Sequence, residues 1–215
     1  MARKRQHVIT NAADLMARDA ALDREICGID LPEERETRLT DEGAHDPTPS
    51  YYFVLEELFA HFGFDARTQL LDVGCGTGRV LAYFLWRGFA GHATGVELDP
   101  ELAQVAASWI SGHDNLSVIQ GSALDLDLNR YTDFYLFNPF SPGILYRFIE
   151  SIEEQVDHPI TLAHMSDNGD TWHYVGRGGW TELASGSIQN YRNDRGYPFR
   201  AYENPQHYTI WRYEP

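Results

Sequence analysis

The stretch Asp72-Val73-Gly74-Cys75-Gly76-Thr77-Gly78 constrains this chain more than any other. The apolar run 69–73 leads straight into it, and a segment with Val80, Leu81, Phe84 and Leu85 on one helical face leads out. Alternate glycines let a backbone turn sharply and come close to a ligand, where any Cβ would collide. A turn of this kind between a strand and a helix presents its amide groups at the strand's carboxyl edge. Ligands of open α/β sheets bind there.

The rest of the pattern agrees. Short apolar runs predict strands at 69–73, 93–98, 116–120, 134–137 and 160–163. Helices are expected over 77–87, from Asp99-Pro100, and from Ser141-Pro142; Asp99 caps and Pro100 takes the first helical position. Strands separated by such helices must pair in parallel through crossover connections. Two further strands are expected at 180–187 and 207–213, the first within an otherwise Gly-, Asn-, Asp- and Arg-rich stretch, 166–206. The expected fold is therefore α/β: a doubly wound, mostly parallel seven-stranded sheet with helices on both faces and the last strand antiparallel.

Ahead of the sheet, residues 7–27 read as an amphipathic helix whose apolar stripe Asp19 interrupts. Residues 28–49 are polar and acidic, broken by Pro32, Gly43, Pro47 and Pro49, and read as a loop or lid. From Ser50, Tyr51, Val54, Leu55, Leu58, Phe59 and Phe62 repeat at helical spacing, with Ser50 as expected N-cap and Gly63 as terminator. This divides the chain into an N-terminal helix and acidic loop, 1–49, and a 50–215 domain.

Charge narrows the partners. Seventeen basic residues against 32 acidic ones give a net charge of −15, and polyanions are held through basic surfaces. A nucleic-acid partner is disfavoured; a small molecule or a protein is the expected partner. Cys27 and Cys75 lack C-x-x-C spacing and a histidine cluster, so neither a metal site nor a disulfide is expected. No apolar run is long enough to span a membrane, and Arg3-Lys4-Arg5 precedes no signal-type apolar core, so the expected location is the cytoplasm. Asn115-Leu116-Ser117 matches a glycosylation sequon with nothing else pointing to secretion.

The glycine spacing separates two cofactor classes. A dinucleotide fingerprint needs G-x-G-x-x-G, whereas here the third glycine falls one residue early, at Gly78, with Arg79 in its place. Asp72-x-Gly74-x-Gly76-x-Gly78 resembles instead the first motif of the class I, Rossmann-like, S-adenosylmethionine-dependent methyltransferases. That resemblance implies that the loop, Cys75 included, wraps the methionine part of S-adenosyl-L-methionine. It implies that Glu97, in Gly95-Val96-Glu97-Leu98-Asp99, holds the ribose hydroxyls, a task suited to a carboxylate, and that Leu98 packs on adenine. The family's Gly-Asp-Ala after strand three is Gly121-Ser122-Ala123 here, with Ser122 Oγ in place of the acid that bonds adenine.

Asn138-Pro139-Phe140 resembles a shortened Asn-Pro-Pro-aromatic motif of amino-group methyltransferases. It implies an acceptor nitrogen held by Asn138 and a proline carbonyl, with Phe140 shielding the sulfonium. The expected activity is methyl transfer, with N-methylation favoured. A catalytically silent S-adenosylmethionine-binding regulatory or scaffold protein is the alternative, and an NAD-dependent oxidoreductase a weaker one. His164 and Asp167, just past strand five, are candidate bases by position, with a solvated or structural role the more expected for each, because a base is identified by geometry that a sequence does not show. The helix before strand one, the 28–49 loop and the C-terminal tail are expected to form the acceptor pocket; Trp172, His173, Tyr174 and Trp180 suit a closed pocket or a docking surface equally well.

Overall fold

The computed structural model describes residues 9–31, 36–167 and 169–215. The Arg3-Lys4-Arg5 reading, the first two residues of the expected N-terminal helix and Pro32 lie outside the described residues.

Helix α1 (Ala12–Cys27) starts where the Asn11 side chain accepts the Asp14 N–H, and stops at Gly28, at φ 79°. Helix α2 (Tyr52–Phe59) is shorter than its periodicity suggests. Ser50 is not its cap: the Ser50 hydroxyl pairs with the Tyr135 hydroxyl at 2.7 Å, and the Tyr52 N–H goes to Asp19 of α1 at 3.0 Å. Asp19 thus breaks the apolar stripe of α1 in order to satisfy an orphan donor at the start of α2.

From there the chain alternates: β1 (Gln69–Val73), α3 (Arg79–Trp86), β2 (His92–Glu97), α4 (Pro100–Ile110), β3 (Leu116–Gln120), β4 (Asp133–Phe137), α5 (Pro142–Gln155) and β5 (Ile160–Met165). Strands β6 (Trp180–Ile188) and β9 (Gln206–Tyr213) complete the large sheet, and β7 (Asn190–Arg192) and β8 (Pro198–Arg200) form a separate hairpin. The seven-stranded order is β3-β2-β1-β4-β5-β9-β6. The first five strands in that order pair in parallel, and β9, last in the chain, runs antiparallel to both β5 and β6.

Both faces are covered, as a parallel sheet requires. On one face Leu70, Ala93, Tyr135, Ala163 and Ile210 pack under α2, α3 and α4; on the other Leu71, Val96, Phe134, Leu136, Leu162 and Trp211 pack under α5. The period-2 alternation of each strand thus feeds two cores. The strand order reverses between β1 and β4, and their carboxyl ends open the crevice that holds the site.

Candidate active site

The glycine turn leaves β1 tied to its neighbour: Gly74 and Cys75 both donate their N–H groups to Val96 O, at 2.9 and 3.1 Å. Gly74 lies at φ 73°, and a Cβ there would meet Pro139 Cβ at 2.8 Å. That glycine is what lets the β1 and β4 exits touch. Gly78, at φ 96°, sits where a Cβ would press on the Trp109 ring at 3.0 Å, and it starts α3. Cys75 is buried, its sulfur held among core atoms over Gly95, and burial pushes its thiol well up.

A cavity of about 240 Å³ opens over this turn. Asp72, Gly74, Cys75, Gly76, Glu97, Leu98, Ser122, Ala123, Asn138, Pro139 and Phe140 all line it; Gly78 does not. Four separate strand exits therefore converge, as the sequence suggested they would.

The electrostatics of the cavity floor are set by two buried carboxyls, Asp72 and Glu97. Asp72 is 2% exposed, and its Oδ2 has no hydrogen-bond partner among the described residues. Burial, reinforced by the Glu97 charge, raises its carboxyl well above the usual range. Glu97 accepts the Gly76 N–H on one oxygen and the Asp99 N–H on the other, each at 2.8 Å. Burial raises its pKa against the pull of those two donors. Ser122 Oγ accepts the Leu124 N–H at 3.2 Å, capping a short 3₁₀ turn.

Asn138 is held at φ 42°, a left-handed conformation that Asn tolerates better than most residues and that recurs at functional sites. Its backbone is engaged from an unexpected direction. His45 Nδ1 donates to Asn138 O at 2.9 Å, and the His45 N–H donates to Pro139 O at 3.1 Å. Ala44 pairs with Phe140 in an antiparallel bridge, and the Ser141 N–H donates to Gly43 O at 2.8 Å. The acidic loop is thus stitched across the β4 exit. Leu39, Glu42, His45 and Asp46 join the cavity wall from it.

His45 was invisible as a site residue, because a polar, proline-broken segment carries no periodicity. The available hint was chemical: carbonyls at a strained strand exit need donors from somewhere.

Several other candidates lie away from this cavity. Among the described residues, neither α2 nor the tail lines the cavity, although Ser50, just before α2, does. Tyr174 stacks on Trp211 at 4.8 Å and meets Trp180 at 5.2 Å, so these aromatics serve the α5-side core. His164 is inside β5 rather than beyond it, 1% exposed and paired with the Tyr174 hydroxyl at 3.1 Å; burial lowers its pKa to about 4. Asp167 is fully buried and accepts from His207 Nδ1 at 2.9 Å and Thr209 Oγ1 at 3.1 Å. Neither borders the cavity.

Comparison with known proteins bears on the fold and on the segment around the glycine turn. Residues 70–141 match a family model described as a methyltransferase domain. A Salinibacter ruber RNA methyltransferase, solved in complex with S-adenosyl-L-homocysteine, superposes with a TM-score of 0.56 over 78% of this chain and 94% of its own, at 17% identity. The chain shares the class I methyltransferase fold, and its 70–141 segment is similar to the methyltransferase-domain family.

Two curated relatives match over shorter stretches. Rv1506c of Mycobacterium tuberculosis, whose name assigns it provisionally to the methyltransferases, is 33% identical over 86 residues, 40% of this chain and 52% of that protein. The ribosomal RNA small subunit methyltransferase A of Geobacter sulfurreducens is 27% identical over 108 residues, 46% of this chain and 38% of that protein. The chain thus spans about half or less of the curated relatives it matches.

Proposed function

We propose that this chain is an S-adenosylmethionine-dependent methyltransferase acting on a nitrogen of a small molecule or a basic polypeptide. The observation that carries the reading is the buried Asp72 carboxyl, whose Oδ2 has no hydrogen-bond partner among the described residues, in a cavity walled by the glycine turn. Burial disfavours the charged form of this carboxyl, and a cationic ligand beside it restores the charge and pairs it. S-Adenosylmethionine fits, since it brings an ammonium and a sulfonium, and the glycine turn offers the close backbone approach it needs. The cofactor supplies a methyl group on a positively charged sulfur.

The roles assigned to the chain's own residues are binding roles. Gly74, Cys75 and Gly76 wrap the methionine portion, and Asp72 complements its charge. Glu97 keeps lone pairs for the ribose hydroxyls beyond its two backbone bonds. Leu98 and Ala123 flank the adenine, with Ser122 at its edge. The Asn138 side-chain amide, which has no partner among the described residues, accepts from the acceptor's N–H, and Phe140 excludes water. Alignment of reacting groups supplies roughly 7–11 kcal/mol of such a barrier. The loop over 36–49, pinned at His45, acts as the lid.

One relative is named for ribosomal RNA, which raises a polyanionic acceptor as a second reading. The −15 charge weighs against it, and in the cavity wall Glu42 and Asp46 outnumber the exposed Arg147. Incubation with methyl-tritiated S-adenosylmethionine and separated pools of amines, basic peptides and RNA tests the choice. Label is expected on nitrogen in an amine or peptide, and to be lost in Asn138→Ala with cofactor affinity retained. Label confined to RNA, or carried on oxygen or carbon, overturns this reading of the acceptor.

A further inference from the structure

We propose that His45, from the acidic loop, is the base that takes the acceptor's proton during methyl transfer; this rests on the cofactor reading above. A carbonyl oxygen can only accept, so the 2.9 Å contact to Asn138 O puts the proton of neutral His45 on Nδ1. Nε2 is then the unprotonated nitrogen. It has no partner among the described residues, and the residue lines the cavity. The ring is also held by its own backbone, whose N–H is bonded to Pro139 O. A fixed tautomer on a pinned loop, over the strained β4 exit, is the arrangement a general base needs.

The chemistry calls for such a group. Free amines have pKa values of about 10, so at neutral pH an amine arrives as an ammonium without a lone pair. Asn138 can orient the nitrogen but cannot accept its proton, because an amide is not a base. The backbone carbonyls of Asn138 and Pro139 are peptide amides and no more basic. The step balances: the acceptor nitrogen gives its proton to Nε2, its freed lone pair bonds the methyl carbon, and the carbon–sulfur electron pair stays on sulfur. The imidazolium that results keeps its Nδ1–H on Asn138 O, which stabilises the new charge.

The test needs no knowledge of the acceptor. Sinefungin is an analogue that carries an amine-bearing carbon where the cofactor has its methylated sulfur, while S-adenosylhomocysteine has bare sulfur there. In protein labelled with ¹⁵N-histidine, the His45 ring is assigned by its loss in His45→Gln. In the free protein the neutral ring is expected to be the Nδ1–H tautomer. Sinefungin should move the Nε2 resonance strongly towards its hydrogen-bonded or protonated value, and S-adenosylhomocysteine should leave it nearly still. His45→Gln should weaken sinefungin at least tenfold more than it weakens S-adenosylhomocysteine. Equal responses to the two bound ligands, or the opposite tautomer, overturn the role of His45 alone. Binding of neither ligand overturns the cofactor reading and this role with it.

Discussion

Glu97 joins two loops over the cavity, with one backbone N–H on each carboxylate oxygen. Its removal therefore acts twice: the Gly76 and Asp99 donors lose their acceptor, and the ribose loses its proposed partner. Hydrogen bonds to a charged group contribute about 1.5–3 kcal/mol, so Glu97→Ala is expected to weaken S-adenosylhomocysteine binding by roughly one to two decades. Calorimetric titration reads this directly. Unchanged affinity alongside a lowered melting temperature would make Glu97 a structural carboxylate only.

Asp133, at the start of β4, gives a residue-scale prediction on stability. Burial raises its pKa from 3.8 to about 6, against the hydrogen bond from the Thr132 hydroxyl and the Arg212 charge. Between those two values the folded protein holds a proton that the unfolded chain releases. Stability from this group is thus fully present below 3.8 and declines as pH rises to about 6. Urea unfolding across that window should show Asp133→Asn with a flatter profile than the parent. Parallel profiles would mean that Asp133 does not titrate there.

At the scale of elements, the N-terminal helix is locked to the sheet through charge. Arg79, 5% exposed on α3, makes two bonds to Asp23 of α1, by Nε at 3.2 Å and by a shorter contact from Nη2, while the Tyr52 hydroxyl of α2 donates to Asp23 at 2.7 Å. Removing one partner of a buried pair strands the other, which costs about 3–5 kcal/mol. Arg79→Met is expected to lose that much by denaturant unfolding, and a loss below about 1 kcal/mol would contradict the coupling.

The same network explains what the sequence concealed. Asp19 reads as a flaw in an amphipathic stripe, and Ser50 as an ordinary cap, because the partner of each lies far away in the chain. By contrast β1 and β3 match their expected bounds, since their apolar runs end at glycines or at polar turns. Asp99 caps α4 by accepting from Glu101 and Leu102, as the Asp-Pro pair implies, because every group involved is local.

At the scale of the molecule, the strand–helix rhythm was enough for the parallel half of the sheet and for the gathering of Asp72, Glu97, Ser122 and Asn138 at one edge. It was not enough for the tail. Aromatic residues at 172–180 suggest a pocket wall or a docking surface, yet strand alternation cannot say which layer a connection joins; Tyr174 and Trp180 fill the α5-side core, while Trp172 stays exposed. The β7–β8 hairpin has strands of three residues, too short for alternation to register, although Asn193 and Gly196, the latter at φ 81°, mark its turn. The pinning of the acidic loop to the β4 exit depends on backbone carbonyls, which no side-chain pattern encodes.

The central claim is that the cavity over the glycine turn takes S-adenosylmethionine. Thermal unfolding with S-adenosylmethionine, S-adenosylhomocysteine and NAD in parallel addresses it most directly. A ligand at a hundredfold over its dissociation constant stabilises the fold by about 2.7 kcal/mol. A clear rise in melting temperature with both adenosyl ligands and none with NAD is the expected result; a rise with NAD alone would contradict it.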